Sequence, residues 1–326
     1  MKLSLVAPYY NIPEKYFKPF VESVLSQDWD DYEFIIVNDG STKEECLAML
    51  RELNDPHIRV INKPNGGCPS ARNLGIENIS GDILYVADPD DELCPGIFRK
   101  AVEAFEEDRD LECIAFSFFS RDGNGEIVKR KRIQERRMTG RACFESMCLE
   151  PGHIDGYCWS KMYNVSRIGK ENIPRFDGRL KRFDDKFWVI QMFNNMSAGK
   201  ETVRFVDFPG YIYNRSVNGI HSDPAKWISS KDSVLADYDF ILDYIKEREG
   251  KGKLYYSFMA SPCVLCYRVV VRLLKDKSLK DDNKKGKVER LKVYYQELKN
   301  KDIKWKSYKR KKKWIPLVLF LSKLFL

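Results

Sequence analysis

The chain has little histidine, 3 residues in 326, and only nine cysteines, most of them in apolar contexts. That is too few for a disulfide framework in a chain of this length. The one close cysteine pair, Cys263 and Cys266 in SPCVLCYRVVV, lies in an apolar helical pattern with no second Cys or His pair, so it reads as packing rather than zinc. The start MKLSLVAPYYN has an apolar run far too short for a secretory signal, which gives a cytosolic expectation. No 18 consecutive apolar residues occur, which excludes an ordinary transmembrane helix. The first apolar run leads into PYYNIPE instead of G-x-G-x-x-G, against a nicotinamide-dependent dehydrogenase. Asn11 stands where a haloacid-dehalogenase-like phosphatase needs an acidic nucleophile, and no internal repeat is visible.

What is present suffices for one large core or two modest ones, with 43% hydrophobic and 13% aromatic residues. Charge is unevenly placed. Up to Ala225 there are 30 basic against 36 acidic side chains, net −6; after it there are 26 against 12, net +14. An acidic chemical unit joined to a basic extension meets an anionic surface, nucleic acid or membrane. The extension lacks the interleaved aromatics of single-strand binders, which argues against nucleic acid.

The apolar runs KLSLVAPYYN, YEFIIVND, IRVINKP and DILYVA read as buried strands alternating with helices. Ser41 and Thr42 read as the cap of the second helix, with Glu44 and Glu45 in its first turn. Such a pattern predicts a parallel sheet covered on both faces, with ligands beyond the carboxyl ends of its strands. Asn11, Asp39 and the acids of DPDD fall at those ends. Beyond residue 95 a helix over 95–107, a hairpin through Gly123–Gly125 and a solvated loop or edge at 129–137 are expected, followed by mixed helices and loops over 140–225. Helices are expected near 230–248, 254–276 and 286–300.

Asp88, Asp90 and Asp91 crowd one strand end, where like charges repel unless a cation or hydrogen-bond donors compensate them. Carboxylates one residue apart suit Mg²⁺ or Mn²⁺, hard ions that share their shell with phosphate oxygens. The competing reading is a turn with Asp91 capping the helix near Pro95. A second acidic pair, Asp184–Asp185 in FDGRLKRFDDKFW, suits either a general base with an orienting neighbour or a helix start.

The ordered set APYYN, IVNDGST, NGGCPSARNLGIENISGDILYVADPDDEL, CWSKMY and FDDKFW closely resembles the family 2 glycosyltransferases of the GT-A fold, over roughly residues 1–225. The resemblance implies an α/β GT-A fold, Rossmann-like, with a mostly parallel sheet flanked by helices. It implies a catalytic domain over 1–225, and 226–326 is then a helical, basic extension. It places Pro8 and Tyr10 on a first loop lining the nucleotide pocket, Asp39 against the base, most often uracil, and Arg72 near the diphosphate. Asp88 becomes the ribose and metal residue and Asp90 a direct metal ligand. Asp185 becomes the catalytic base, with Asp184 as the alternative, since the family commonly has Glu-Asp at this motif. His221 in YIYNRSVNGIHS is placed to complete the Mn²⁺ or Mg²⁺ shell, or is structural.

The implied activity is that of an inverting hexosyltransferase moving sugar from a nucleotide sugar, UDP-linked, to a hydroxyl of a glycan or lipid-linked acceptor in cell-surface polysaccharide synthesis. A non-catalytic scaffold or binding subunit of the same fold is the alternative. The tail, about 304–326, joins five basic residues, Lys309 to Lys313, to an almost wholly apolar segment from Trp314 to Leu326. Thirteen helical residues rise only about 20 Å, short of the roughly 30 Å hydrocarbon core. The tail is therefore expected to lie at an anionic bilayer surface, with Trp305 and Trp314 at the headgroup level. A helix docked on the protein's own core is its alternative. The localisation expected is cytoplasmic, peripheral on the inner face of the membrane.

Overall fold

The structure is a computed structural model that describes residues 1–149, 154–215, 228, 230–275, 283–303 and 306–325. The chain divides into two compact units. One comprises Met1–Phe144, Asp155–Arg179 and Asp184–Val217; the other comprises Glu145–Ile154, Leu180–Phe183 and Asn218–Leu326.

In the first unit the opening third alternates strictly: Leu3–Tyr9 (β1), Glu14–Leu25 (α1), Tyr32–Asp39 (β2), Glu44–Glu52 (α2), Ile58–Lys63 (β3), Cys68–Glu77 (α3) and Ile83–Val86 (β4). β1, β2 and β4 are almost entirely buried, as strands covered on both faces must be. β3, β2, β1 and β4 pair in parallel in that order. Their carboxyl ends therefore share one side of the sheet.

Then follow Glu92–Leu93 (β5), Ile97–Glu107 (α4), Cys113–Arg121 (β6), Ile127–Lys131 (β7), Arg136–Met138 (β8), Gly140–Leu149 (α5), Lys161–Asn164 (β9), Val165–Ile168 (α6), Asp184–Asn195 (α7) and Val203–Asn214 (β10). Here the sheet becomes mixed. β9 inserts antiparallel between β4 and β6, while β10 runs parallel to β6 and antiparallel to β5 and β8. The basic run expected as a loop or edge forms β7, β8 and their connection, at the margin of the sheet.

β9 and β10 lie where the sequence predicts helices and loops. β10 contains Pro209 and Gly210, which break its alternation, and its register against β6 slips at those two residues. Glycine is required at 210 by close approach: a Cβ there would lie 2.5 Å from the Phe116 ring and 2.6 Å from Ile97.

The expected cap of α2 is also relocated. Its N-cap is Lys43, without a side-chain bond. Asn11, in the left-handed region at φ 50°, reaches across with Oδ1 to accept the Thr42 and Lys43 amides at 2.9 and 3.1 Å, and Ser41 accepts the Asn11 amide. Asn tolerates this conformation, so a residue just beyond β1 caps the start of α2.

In the second unit the helices Lys231–Glu249, Lys253–Lys275, Lys284–Leu298, Lys306–Lys312 and Ile315–Phe325 pack together. Lys253–Lys275 is long and apolar enough by composition to cross a membrane, yet 67% of its most apolar stretch is buried inside the protein, as expected of a core helix. Asp237, itself buried, accepts the backbone amides of Lys181, Arg182 and Phe183, so this carboxylate fixes the short Leu180–Phe183 segment within the unit.

Candidate active site

A cavity of about 530 Å³ opens at the carboxyl ends of β1, β2 and β4. Pro8, Tyr10, Asp39, Arg72, Asp88 and Asp90 all line it, so four separated segments of sequence converge there. Pro8 stands inside β1 rather than on the loop after it, and Tyr10 is 47% exposed at the rim.

Asp39 ends β2 and is buried. Its Oδ1 accepts the Gly66 amide at 2.9 Å and its Oδ2 the Gly67 amide at 2.8 Å, and Lys63 Nζ is its ion-pair partner. Asn65 Nδ2 donates to its carbonyl at 2.8 Å. Asp39 therefore shapes the loop that starts α3, where Gly67 takes φ 86°. The sequence pattern missed Lys63 and the two glycine amides. NKPNGG was the available signal, a turn-rich stretch directly after a strand. Asp39→Ala leaves these partly buried donors without their carboxylate, and a loss of about 1 kcal/mol in stability is expected, read from the urea midpoint. An unchanged midpoint would remove the loop-holding role.

Arg72, on α3, is buried and joins two acids that lie far apart in sequence. Nη2 meets Asp88 Oδ1 at 2.6 Å and Nη1 meets Asp184 Oδ2 at 2.7 Å. Its guanidinium lies 5.0 Å over the Phe176 ring, which stacks on Trp188 of α7 at 4.7 Å. Arg72 thus lines the cavity as expected, with its two terminal nitrogens engaged by carboxylates. Asp184 and Asp185 open α7, where acids favour the helix dipole.

Asp185 accepts the Lys186 amide at 2.6 Å. Burial first, then the Asp184 charge, pushes its pKa up to about 7 against the pull of Arg72. Asp90 reaches the surface, yet the surrounding protein limits its hydration; this and the Asp88 charge push it up to about 6. Asp91 is buried and raised further, by burial and then by Asp90 and Asp88. It is not the cap of the next helix: α4 starts at Ile97 behind Gly96, and Asp91 instead accepts the Asn214 amide of β10 at 2.7 Å. The Asp88 amide donates to the Tyr211 hydroxyl at 3.1 Å, and Asn214 Nδ2 donates to the Asp90 carbonyl at 2.8 Å. These β10 partners also went unread in the sequence.

Among the described residues no three His, Cys, Asp or Glu side chains converge as a ready metal site. His221 lies outside the described residues, as do His153 and Trp305. Asp88 and Asp90 nonetheless suit a hard dication. Such an ion takes one or two protein carboxylates and fills its shell with phosphate oxygens and water, and both acids face the same cavity, with the pKa of Asp90 raised by limited hydration and then by the Asp88 charge.

The site thus combines a parallel α/β half-sheet, carboxylates at its strand ends and a raised acid at a helix start. The model of glycosyl transferase family 2 matches residues 4–169, just over half of the chain, which belongs to that family. It is 29% identical over 224 residues to the uncharacterized glycosyltransferase YibD of Escherichia coli, covering 68% of this chain and 64% of that protein. It is 27% identical over 267 residues to the minor teichoic acid biosynthesis protein GgaB of Bacillus subtilis, covering 78% of this chain and 28% of that protein. The chain thus spans under two thirds of the length of these relatives. The crystal structure of Staphylococcus aureus TarS 1–349 with UDP has the same fold, at a TM-score of 0.61 and 16% identity over 99% of this chain and 87% of that one. The TarS complex with UDP-GlcNAc gives 0.62 and 17%, over 99% and 88%.

Proposed function

We propose that this chain is an inverting glycosyltransferase that moves a sugar from a UDP-sugar to a hydroxyl of a glycan or lipid-linked acceptor in cell-surface polysaccharide synthesis. The observation that carries this reading is the link through Arg72. It ties the cavity acid Asp88 to Asp184, the neighbour of the raised carboxylate Asp185. A nucleotide site and a general base are thereby held in one rigid arrangement. TarS, of the same fold, has been solved with UDP and with UDP-GlcNAc, which supports a UDP-sugar as donor. GgaB, a teichoic acid biosynthesis protein, supports the cell-surface setting.

In this mechanism Pro8, Tyr10 and the Asp39 loop hold the nucleoside. Asp88 and Asp90 would hold Mn²⁺ or Mg²⁺, which when bound supplies charge neutralisation on the diphosphate. Asp185 takes the proton of the acceptor hydroxyl as its oxygen attacks the anomeric carbon. The new C–O bond forms on the face opposite the bond that breaks, whose electron pair leaves with UDP, so configuration inverts. Asp184, held by its ion pair with Arg72, keeps its neighbour basic through its charge. A non-catalytic scaffold has no use for a half-buried acid raised to about 7.

A thermal-shift series with UDP-GlcNAc, UDP-glucose and UDP-galactose in Mn²⁺ tests the donor, because a ligand of the folded state raises the melting point. No shift with any of them, together with no release of UDP, would overturn the reading.

Membrane attachment belongs to the same proposal. In the tail Ile315, Val318 and Tyr308 are buried within the helical unit, whereas Trp314, Leu317 and Phe320 are 50%, 48% and 59% exposed at three-residue spacing. Lys309, Arg310 and Lys313 are exposed beside them. One face thus docks on the protein's own core, and the other offers apolar side chains and cations that suit an anionic bilayer. The site of action is then the cytoplasmic face of the membrane. Changing Trp314, Leu317 and Phe320 to serine leaves the docked face intact. It is expected to abolish flotation with anionic phosphatidylserine vesicles at 0.15 M salt. Flotation equal to that of the parent chain would remove the tail as anchor.

A further inference from the structure

Aromatic rings pile up beside the proposed base. Trp159 is buried, and three tyrosines lie parallel to it: Tyr157 at 4.7 Å and 9°, Tyr211 at 4.5 Å and 12°, and Tyr213 at 5.7 Å and 9°. Tyr211 is buried as well, but Tyr157 and Tyr213 remain 42% and 40% exposed. Stacked rings of this kind ordinarily complete a core; here the outer two are left facing solvent.

The segment carrying Tyr157 is firmly built. Lys161 is 1% exposed, and its ammonium donates to the Asp155 carbonyl at 2.7 Å, the Tyr157 carbonyl at 2.9 Å and Ser160 Oγ at 3.0 Å. All three of its protons are used, so a buried charge clamps residues 155–160 against movement. Gly156 packs on the start of α7: a Cβ there would sit 2.7 Å from Lys186 Cγ, one residue from Asp185. On the other side, the strand bearing Tyr211 and Tyr213 is bonded to the Asp88–Asp91 turn through the Tyr211 hydroxyl and Asn214. The rings are therefore carried by two segments, one fixed to the turn of the cavity acids and the other packed on the start of the helix that bears Asp185.

We infer that Tyr157 and Tyr213, backed by Trp159, form the subsite that receives a pyranose ring of the acceptor. The inference rests on the proposed function and adds the chemical class of the acceptor to it. A pyranose presents a face of C–H bonds that packs on an aromatic ring while its hydroxyls stay at the edge. That geometry leaves one hydroxyl free to point at Asp185. A polyol chain or a phosphate has no such face. Burial and then the charges of Asp155 and Asp185 push the Tyr157 phenol up, and burial followed by Asp91, Asp90 and Asp88 does so for Tyr213. Both phenols thus stay neutral at physiological pH, as stacking partners rather than acids.

The test is saturation-transfer NMR on the full chain with UDP and Mg²⁺. The probes are methyl β-glycosides of glucose, galactose and N-acetylglucosamine, with glycerol as the faceless control. Irradiation of aromatic protons is expected to saturate the ring C–H protons of at least one glycoside and not those of glycerol. Tyr157→Ala and Tyr213→Ala should each weaken that glycoside by about three- to tenfold. Tyr157→Phe, which keeps the ring, should bind as the parent does. UDP affinity, measured separately by calorimetry, should be unchanged in all three. Saturation of no glycoside, or equal saturation in both alanine variants, overturns the subsite. Loss of UDP affinity in the alanine variants assigns the rings to the donor and overturns it too. Failure of the parent chain to bind UDP counts against the proposed function, while the sugar signal, read also without UDP, still decides the subsite.

Discussion

Asp185→Asn is expected to bind UDP-sugar as the parent chain does and to transfer sugar at least about 10²-fold more slowly. The substitution keeps shape and the Lys186 amide contact but removes basicity. The pH profile carries the sharper signature. A base with pKa about 7 must lose its proton to act, so transfer by the parent chain should rise through that pH and level off above it. The asparagine variant should lack that limb.

Stability should move the other way. The folded-state pKa of Asp185 lies above its unfolded value near 3.9, so the folded protein binds more protons between about pH 4 and 7 and loses stability as pH rises through that window. Removing the carboxylate should raise the melting temperature at pH 8, by about 2–4 °C for each kcal/mol of relief. Asp184→Asn should behave differently, because it removes one of the two carboxylates that compensate the buried Arg72 guanidinium, leaving Asp88 alone to do so. It should lower the melting temperature. If Asp184→Asn, and not Asp185→Asn, removes the pH limb, the two acids exchange roles.

The contrast between these neighbours marks where sequence reading runs out. β1 to β4 were legible because a strand buried on both faces must be apolar throughout, and the acids at its end then stand out against the run. DPDD after ILYVA needs no coordinates to be noticed. β10 was hidden by its own requirement for Pro209 and Gly210, which repack it against Phe116 and Ile97. The roles of Asp184 and Asp91 were hidden for another reason. Each is decided by a partner more than 100 residues away, Arg72 for one and the Asn214 amide for the other. Local spacing offered a helix start and a helix cap with equal justice. The folded chain gives Asp184 an ion pair at the start of α7 and gives Asp91 a strand to hold. Lys161 is a further case: only the clamp of three bonds made by its ammonium explains why a lysine is buried there.

Asp90→Ala is the other change with a large expected effect. Asp90 lines the cavity beside Asp88, whose Oδ1 is already engaged by Arg72, so Asp90 is the acid with the freer carboxylate. Its pKa is pushed up to about 6 by limited hydration and then by the Asp88 charge, against the weaker pull of Arg72. Loss of a metal that stabilises the leaving diphosphate by several kcal/mol corresponds to a fall in turnover of at least about 10³-fold. UDP binding followed by calorimetry should also lose its dependence on Mn²⁺. Folding should not suffer. The folded-state pKa lies above the unfolded one, so this acid destabilises the metal-free protein as pH rises from about 4 to 6 and keeps doing so above. Alanine should leave the melting temperature at pH 8 unchanged or higher. A variant that turns over at the parent rate, or a parent chain fully active in excess EDTA, would take the metal out of the mechanism and leave Asp90 as an acid without a task.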